Sequence, residues 1–450
     1  MGHGYPSAIR HDRGRTNGAF GGRAVGLRCV YYRARWRSVN GSAVLNRAPA
    51  RPARWHDRAV LRISDDQRRA RLQVRHGLHP HHRFASVEDL ARGVVALHAT
   101  DPATIVLQAW ARIDGFQAAD LERALYDDRT LIKHMAMRRT LFVVHREGLP
   151  AMQAGASERV AGQERGRVSR DVEKAGLEAD GAAWLAGAEA DVLAALAGGR
   201  EASSTELRDE LPSLQRSIHY APHKSWGGMQ PQGPRVMTAL SAAGKLVRTT
   251  NQGTWTSSRP LWGLMDDWLG EPLVPPTTDE GVRALVEGWL RAFGPGTTAD
   301  IKWWLGGTVK ATKQALAELE AVEVDLDGGI GWVLPDDTDE IDDPGPAAAL
   351  LPSLDLTTMG WFERPFYLGE YRPQLFDSNG NGGPSAWWNG RIVGGWRPAP
   401  GGGDRIELQL LEDPGKAART ALEAEAKRLG EWLADIRFVP RFPSPLSKAP

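Results

Sequence analysis

The pattern of apolar and polar residues predicts two consecutive helices in the first half of the chain. Apolar residues recur at three- and four-residue intervals over 87–97, after Ser86, which is a good helix N-cap. The next helix is predicted to begin at Pro102, because proline is favoured at the first helical position and Asp101 is a suitable N-cap. Residues 98–100 are therefore predicted to lie at a helix–helix corner, close to the positive end of the second helix.

One order of elements is predicted twice further along the chain. It consists of a helix, a capped helix, a third helix and a two-stranded hairpin, which is the plan of a winged helix-turn-helix. The first copy has helices over 183–196, 203–207 and 234–243 and a hairpin over 245–257; the second has helices over 280–293, 297–305 and 309–319 and a hairpin over 322–334.

The chain changes character after an acidic tract at 336–343. Residues 387–396 are typical of a hairpin, in which Asn389-Gly390 supplies the two positive φ angles of a type I′ turn. A further strand is predicted over 405–411 and an amphipathic helix over 417–433. The last hundred residues are thus predicted to form a β-rich domain that ends in a helix.

Composition narrows the class of protein. A chain of 450 residues is too long for one ordinary core, so several domains are expected. Hydrophobic residues make up 42% of the chain, the mean hydropathy is −0.39, and no apolar run is long enough to cross a bilayer, so we expect no membrane segment. A single cysteine excludes a disulfide framework and cysteine-based zinc sites, and we predict neither a metal nor a cofactor.

The formal net charge of +1 is the sum of two unlike parts. Residues 1–59 contain twelve arginines, no lysine and two acidic residues, so the remaining chain is acidic, with a net charge of −9. Three interpretations of the basic segment are open: a disordered arm for nucleic acid, a targeting peptide, or upstream DNA translated from a start codon set too early. The last interpretation would place the start near Val60, just before the first patterned stretch.

Any binding of DNA must then rest on local cations, because an acidic protein body has no general attraction for phosphate. The segment 219–235 is rich in Gly and Pro and combines cations with a tryptophan suited to stacking or wedging. The alternative is a solvated loop between helices. The predicted DNA-binding residues are Arg138, Arg139, His223, Lys224, Trp226, Gln230, Gln232, Arg235, Lys245 and Arg248.

Several stretches resemble the tandem winged-helix, AlkZ-like DNA glycosylases. Residues 95–104, the triplet at 110–112 and the run Met137-Arg138-Arg139-Thr140-Leu141 resemble the first winged-helix unit of that family. The capped helix at 296–304, with Trp303-Trp304, is similar to the third unit, and residues 375–396 are similar to the C-terminal β domain. The resemblance covers about 60–450.

The resemblance implies an α+β fold in which three tandem winged helix-turn-helix units are followed by a C-terminal β-rich, barrel-like domain with a C-terminal helix. Members of the family grip duplex DNA in a concave surface and hydrolyse the N-glycosidic bond of alkylated or crosslinked bases. The implied segments are 1–59 (extension), 60–180, 181–272 and 273–343 (winged-helix units 1 to 3) and 344–450 (β-rich domain).

The resemblance is incomplete at the catalytic motif, where the family has glutamine, an aliphatic residue and then glutamine or an acidic residue. This chain has His98-Ala99-Thr100, so His98 and Thr100 are the predicted catalytic residues. Both can hydrogen-bond to a water molecule, although with a different geometry from a pair of amides. We therefore predict a monomeric, cytoplasmic DNA glycosylase acting on double-stranded DNA; the alternative is a regulator or lesion sensor that binds DNA without catalysis.

Overall fold

The structure is a computed structural model that describes residues 60–220, 223, 227–399, 405–434 and 436–448. All of them belong to the second of the two units into which the chain divides, Ala53–Pro450. The predictions for residues 1–59, and those for Lys224 and Trp226, lie outside the described residues.

The described part of the first segment has four α-helices and four strands; three of the strands form one sheet, in which the second strand of the segment lies next to the fourth. Ser86 caps the second helix, since its hydroxyl accepts a hydrogen bond from Asp89 N at 3.1 Å. That helix ends well before the predicted corner, because Val95 has a φ of +68° and residues 97–98 form a strand. The elements are β1 (Arg62–Ile63), α1 (Asp65–Arg75), α2 (Val87–Gly93), β2 (Leu97–His98), α3 (Pro102–Trp110), α4 (Ala118–Glu122), β3 (Leu131–Ala136) and β4 (Thr140–His145), with the sheet order β2-β4-β3.

The middle segment repeats this order and contains an inserted hairpin. The sequence predicts a loop over 219–235, either DNA-binding or solvated, but Ser217–Tyr220 and Gly228–Pro231 are paired strands, with Ile218 opposite Gln230. The predicted hairpin at 245–257 is longer than expected, since its second strand begins only at Pro260. The elements are α5 (Leu149–Met152), α6 (Glu158–Lys174), α7 (Gly181–Ala195), β5 (Ala202–Ser203), α8 (Ser204–Glu210), α9 (Pro212–Gln215), β6 (Ser217–Tyr220), β7 (Gly228–Pro231), α10 (Gly233–Ala242), β8 (Leu246–Asn251), β9 (Pro260–Leu264) and α11 (Met265–Leu269), with the sheet order β5-β9-β8.

The third segment has three helices and a hairpin. Thr297 and Asp300 form a reciprocal capping box, as the sequence predicts. A single bridge between Gly296 and Trp332 takes the place of the first strand. Strand β1 pairs with this hairpin and not with the first segment, to which the sequence interpretation assigned it. The elements are α12 (Thr278–Phe293), α13 (Thr298–Leu305), α14 (Val309–Glu318), β10 (Val322–Leu326) and β11 (Gly329–Val333).

The C-terminal segment is an open antiparallel sheet crossed by a long helix. The prediction of a barrel-like domain is wrong: the sheet order is β12-β13-β14-β15, and its edge strands do not pair with each other, as closure would require. Asn389 and Gly390 have φ angles of 43° and 81°, which confirms the predicted hairpin turn. The elements are β12 (Ala348–Leu351), α15 (Pro365–Leu368), α16 (Arg372–Leu375), β13 (Ser385–Trp388), β14 (Arg391–Pro398), β15 (Ile406–Leu410), α17 (Lys416–Leu433) and α18 (Pro445–Lys448).

The fold is therefore mixed α+β, with several small sheets in the described part of the chain, none of them closed into a barrel. One large hydrophobic core joins the first, third and C-terminal segments through buried rings such as Trp110, Trp289 and Trp387. Helices α6, α7 and α10 pack around a second core. Among the described helices none combines the length and the apolar character needed to cross a membrane.

Candidate functional site

The predicted motif lies where strand β2 meets helix α3. Opposite residues on antiparallel strands project from the same face of a sheet, and His98 pairs with Phe142, which in turn pairs with His134. The second row across the sheet is Leu97, Val143 and Lys133, so His98 and Lys133 lie on opposite faces. The sheet thus separates two groups of polar residues that the sequence did not distinguish.

His98 is buried, with 4% of its surface exposed, and its ring lies 5.0 Å from that of Phe142. Burial, and secondarily the nearby Arg138 guanidinium, lowers the pKa of His98 to about 3, so the imidazole is neutral at physiological pH. Its Nδ1 atom accepts a long hydrogen bond, 3.5 Å, from the Thr100 backbone N–H. That contact favours the tautomer with the proton on Nε2, which makes His98 a hydrogen-bond donor.

Thr100 is half-buried, and its Oγ1 atom accepts a hydrogen bond from Leu141 N at 3.3 Å. The hydroxyl hydrogen can still be donated to a further group. Gln108, on α3, links the motif to the C-terminal segment. Its Nε2 donates a hydrogen bond to His98 O at 2.9 Å, and its Oε1 accepts one from Leu356 N at 3.1 Å. The C-terminal segment therefore supports the strand that carries His98, a role for Gln108 that the sequence did not indicate.

Asp101 caps α3 as predicted, accepting from Ala103 N at 3.2 Å. Its other carboxylate oxygen accepts from Arg441 N at 2.9 Å, and Arg441 Nη1 reaches Thr100 O at 3.5 Å. Burial raises the pKa of Asp101. Arg441 thus joins the motif from 340 residues further along the chain, and no local pattern in the sequence could have indicated this.

Arg138 and Arg139 form the turn between β3 and β4, on the side of His98. Both have positive φ angles, 55° and 60°, which cost residues other than glycine roughly 1 kcal/mol or more each. The Arg138 guanidinium lies 3.9 Å from the centre of the Trp303 ring on α13, and Arg139 pairs with Glu164 at 2.8 Å. Strain of this kind accumulates at functional sites, and here it places a cation beside the motif.

The other predicted DNA-binding residues that the structure describes differ in their burial. Arg235 and Gln232 are buried: Arg235 pairs with Asp171 at 2.7 Å, and the Gln232 amide donates to Gln230 O at 2.9 Å. His223 and Lys245 are exposed, whereas Gln230 is half-buried on β7. Arg248 is half-buried on β8 and faces a cleft that the first and middle segments share.

Comparison with known proteins agrees with this architecture. A model of the family described as "DNA glycosylase AlkZ-like" matches residues 91–432. Among solved structures, the Streptomyces sahachiroi DNA glycosylase AlkZ superimposes with a TM-score of 0.67 at 20% identity, covering 84% of this chain and 100% of that chain. No curated protein matches the chain. The resemblance predicted from the motifs is confirmed: the chain belongs to the AlkZ-like DNA glycosylase family.

Proposed function

We propose that this protein is a DNA glycosylase that hydrolyses the N-glycosidic bond of alkylated or crosslinked bases in duplex DNA. The observation that carries the proposal is the placement of His98 and Thr100, two neutral hydrogen-bonding groups, at one strand–helix corner beside the Arg138 cation. We further propose that it acts as a monomer on cytoplasmic DNA.

The order of elements supports DNA binding by winged helices. The first and middle segments each have helix, strand, helix, helix and a hairpin, and in both sheets the first strand lies beside the last. The third segment has the same order, with the Gly296–Trp332 bridge in place of the first strand. Winged helix-turn-helix units bind duplex DNA through a helix and the hairpin, which is consistent with the position of Arg138 and Arg139 in a hairpin turn.

The chemistry follows from the charge state of His98. An imidazole with a pKa of about 3 is a weak base, so it does not take a proton from the attacking water. Instead, the Nε2–H of His98 donates a hydrogen bond to that water and the Thr100 oxygen accepts one from it, which leaves a lone pair of the water free to attack the sugar. The alkylated base takes the electrons of the broken glycosidic bond and leaves, and the proton of the added water passes to solvent. A neutral ring also avoids repelling the positive charge that develops on the sugar as the base departs. The target nucleotide must first leave the stack, because its glycosidic bond is inaccessible within the duplex.

The test compares base release by four proteins on a duplex that carries a single N7-alkylguanine, with abasic sites measured after alkaline cleavage. We expect release by the wild type, a loss of at least about 100-fold in the His98→Ala/Thr100→Ala double variant, and recovery in His98→Gln/Thr100→Gln. The exposed His81→Ala variant is the matched control and should retain full activity. Equal release by the wild type and the alanine double variant would refute the proposal.

A second candidate is a DNA-binding protein without catalysis, and the burial of His98 favours it. A ring that is only 4% exposed needs a local opening before it can contact a substrate water. Salt-dependent duplex binding without release of any tested lesion would support this candidate, whereas absence of duplex binding at about 50 mM salt would exclude both. These assays should use protein that lacks residues 1–59, because that basic segment would bind DNA through charge alone.

A further inference from the structure

A second polar site lies on the face of the first sheet opposite His98. It is a cleft between the first segment and the β8–β9 connection of the middle segment, and Ala99 and Pro102 of the motif corner form part of its wall. Seven of its lining side chains carry hydrogen-bond donors: Tyr126, Lys133, Arg248, Asn251, Trp255, Ser257 and Ser258.

Lys133 lies in this cleft, half-buried on the edge strand β3. Its ammonium group donates a hydrogen bond to the Tyr126 hydroxyl at 2.5 Å. Burial, and then repulsion from Arg248, lowers the pKa of Lys133 to about 8, while Glu122 opposes the change. Lys133 is therefore a cation with a neutral partner in a poorly solvated position.

Arg248 enters the same cleft from β8. Its Nη1 atom reaches the Ser258 hydroxyl at 3.5 Å, its guanidinium lies 5.1 Å from the centre of the Trp262 ring, and its Nε–H is buried without a hydrogen-bond partner. Burial, followed by repulsion from Arg441, lowers the pKa of Arg248 to about 10. Like Lys133, it is accompanied by neutral groups.

The cleft therefore brings together two positive charges, which the carboxylate of the lining residue Glu122 offsets only in part. Within the described residues neither Lys133 nor Arg248 forms an ion pair, and the acidic lining residue Glu122 is exposed. Two adjacent cations removed from water are unfavourable until an anion lies between them. A phosphate group, which accepts hydrogen bonds through several oxygens, matches the ammonium, guanidinium, hydroxyl and amide donors of this lining.

We propose that this cleft binds a backbone phosphodiester of duplex DNA, with Lys133 and Arg248 as its charged contacts and Tyr126 and Ser258 as neutral donors. The inference rests on the proposed function, because it takes the bound strand to run past the motif corner. A phosphate held against Ala99 and Pro102 would fix the strand next to the nucleotide presented to His98. Lys133 is thus a positioning residue for the substrate and takes no part in the chemistry.

The first experiment measures the salt dependence of duplex binding by fluorescence anisotropy, using protein without residues 1–59. Each phosphate contact contributes about 0.9 to the slope of log K against log salt concentration. We expect Lys133→Met and Arg248→Met each to weaken binding several-fold at low salt, and the double variant to reduce the slope by about 1. Lys427→Met, which removes an exposed lysine from α17, is the matched control and should leave affinity and slope unchanged.

The second experiment measures affinity between pH 7 and 10. A bound phosphate favours the charged ammonium, so wild-type affinity should fall as the pH rises through about 8, where free Lys133 loses its proton. Lys133→Arg keeps its charge over this range and should flatten the profile while retaining affinity. Among the groups that face Lys133, burial raises the pKa of Tyr126 and lowers that of Arg248 to about 10, and Glu122 contributes a carboxylate.

Three results would overturn the inference. One is an unchanged salt slope in the Lys133→Met/Arg248→Met double variant; another is an identical pH profile in the wild type and Lys133→Arg. The third is equally effective competition by inorganic phosphate at the concentration of DNA phosphate, which would identify a site for the free anion. Base release by the wild type is measured separately. If the Lys133→Met/Arg248→Met variant binds DNA more weakly but the wild type releases no base, the proposed function alone is refuted. If the wild type releases the base but the variant binds DNA as the wild type does, the phosphate site alone is refuted.

Discussion

Two kinds of buried cation lie close to the motif, and they differ in what neutralises them. Arg112, two residues beyond the end of α3, is fully buried and forms two hydrogen bonds to the carboxylate of Asp355, at 2.7 and 2.9 Å. Lys133 and Arg248 are also removed from water but contact a phenol, a serine hydroxyl and an indole ring. The first arrangement is complete within the protein, whereas the second requires an anion from outside.

Under the proposal above, a cation has a structural or a binding role according to whether a carboxylate neutralises it, and not according to its residue type. Arg235 was predicted to contact DNA because it follows a Gly/Pro-rich segment, yet its guanidinium is committed to Asp171. Arg139, beside the motif, is likewise paired with Glu164. Only the structure shows which carboxylate neutralises each arginine. Glu164 and Asp171 lie on α6, far in sequence from the Arg138-Arg139 turn and from the Gly/Pro-rich segment that contains Arg235.

The largest expected effect comes from removing the carboxylate that neutralises Arg112. Asp355→Ala should lower the free energy of unfolding by about 3–5 kcal/mol, because it leaves a buried guanidinium without its counter-ion. Urea denaturation followed by tryptophan fluorescence measures the change. An Arg112→Met/Asp355→Leu double variant should recover most of the loss; if Asp355→Ala costs less than about 1 kcal/mol, the contrast between paired and unpaired cations fails.

The next largest effect is the loss of stability when a buried, neutral histidine is protonated at low pH, and His98 provides the test. The unfolded chain binds a proton near pH 6.5 and folded His98 only near pH 3, so stability falls as the pH decreases below 6.5. At pH 5 this residue alone should cost about 2 kcal/mol relative to pH 7. His98→Gln should remove that share of the acid sensitivity and leave the part due to His76 and His134, whose pKa values burial also lowers.

A smaller effect is expected at Arg235, which tests whether a paired arginine contributes to DNA binding. Arg235→Met should lower the free energy of unfolding by about 1–2 kcal/mol, since Asp171 stays partly solvated when its partner is lost. Duplex affinity at 25 °C, measured under conditions in which the variant is folded, should remain within twofold of the wild type. A loss of affinity comparable to that of Arg248→Met would place Arg235 among the binding cations.

The sequence predicted the local features well, because they depend on residues a few positions apart. The caps at Ser86, Asp101 and Thr297 and the turn at Asn389 are present in the structure. Contacts between distant parts of the chain left no such signal: β1 pairs with β10 through two residues, and the edge strands of the C-terminal sheet do not close.

The candidate site shows the same limit. The motif itself was predicted, and its resemblance to the family is what identified His98 and Thr100. Lys133 was not singled out, because a lysine on a strand is usually exposed and says nothing about its neighbours. Its position depends on the pairing of Lys133 with Val143, which sets the face, and on the β8–β9 connection, which covers it.

The smallest expected effect is at Lys133, where truncation should leave stability unchanged or slightly higher. Because the pKa of Lys133 is about 8 when folded and 10.5 when unfolded, the unfolded chain binds the extra proton in this range, and wild-type stability should rise from pH 8 to 10. Lys133→Met should abolish that rise. At pH 7 the gain from removing a desolvated ammonium is opposed by loss of the hydrogen bond to Tyr126, so the free energy of unfolding should change by no more than about 1 kcal/mol, in the stabilising direction. Differential scanning fluorimetry of the wild type and Lys133→Met at pH 7, 8 and 10 distinguishes this outcome from one in which Lys133 stabilises the fold. A substantial loss of stability would mean that the Tyr126 hydrogen bond holds the first segment together, and the cleft would then belong with the Arg112 pair and not with the binding surface.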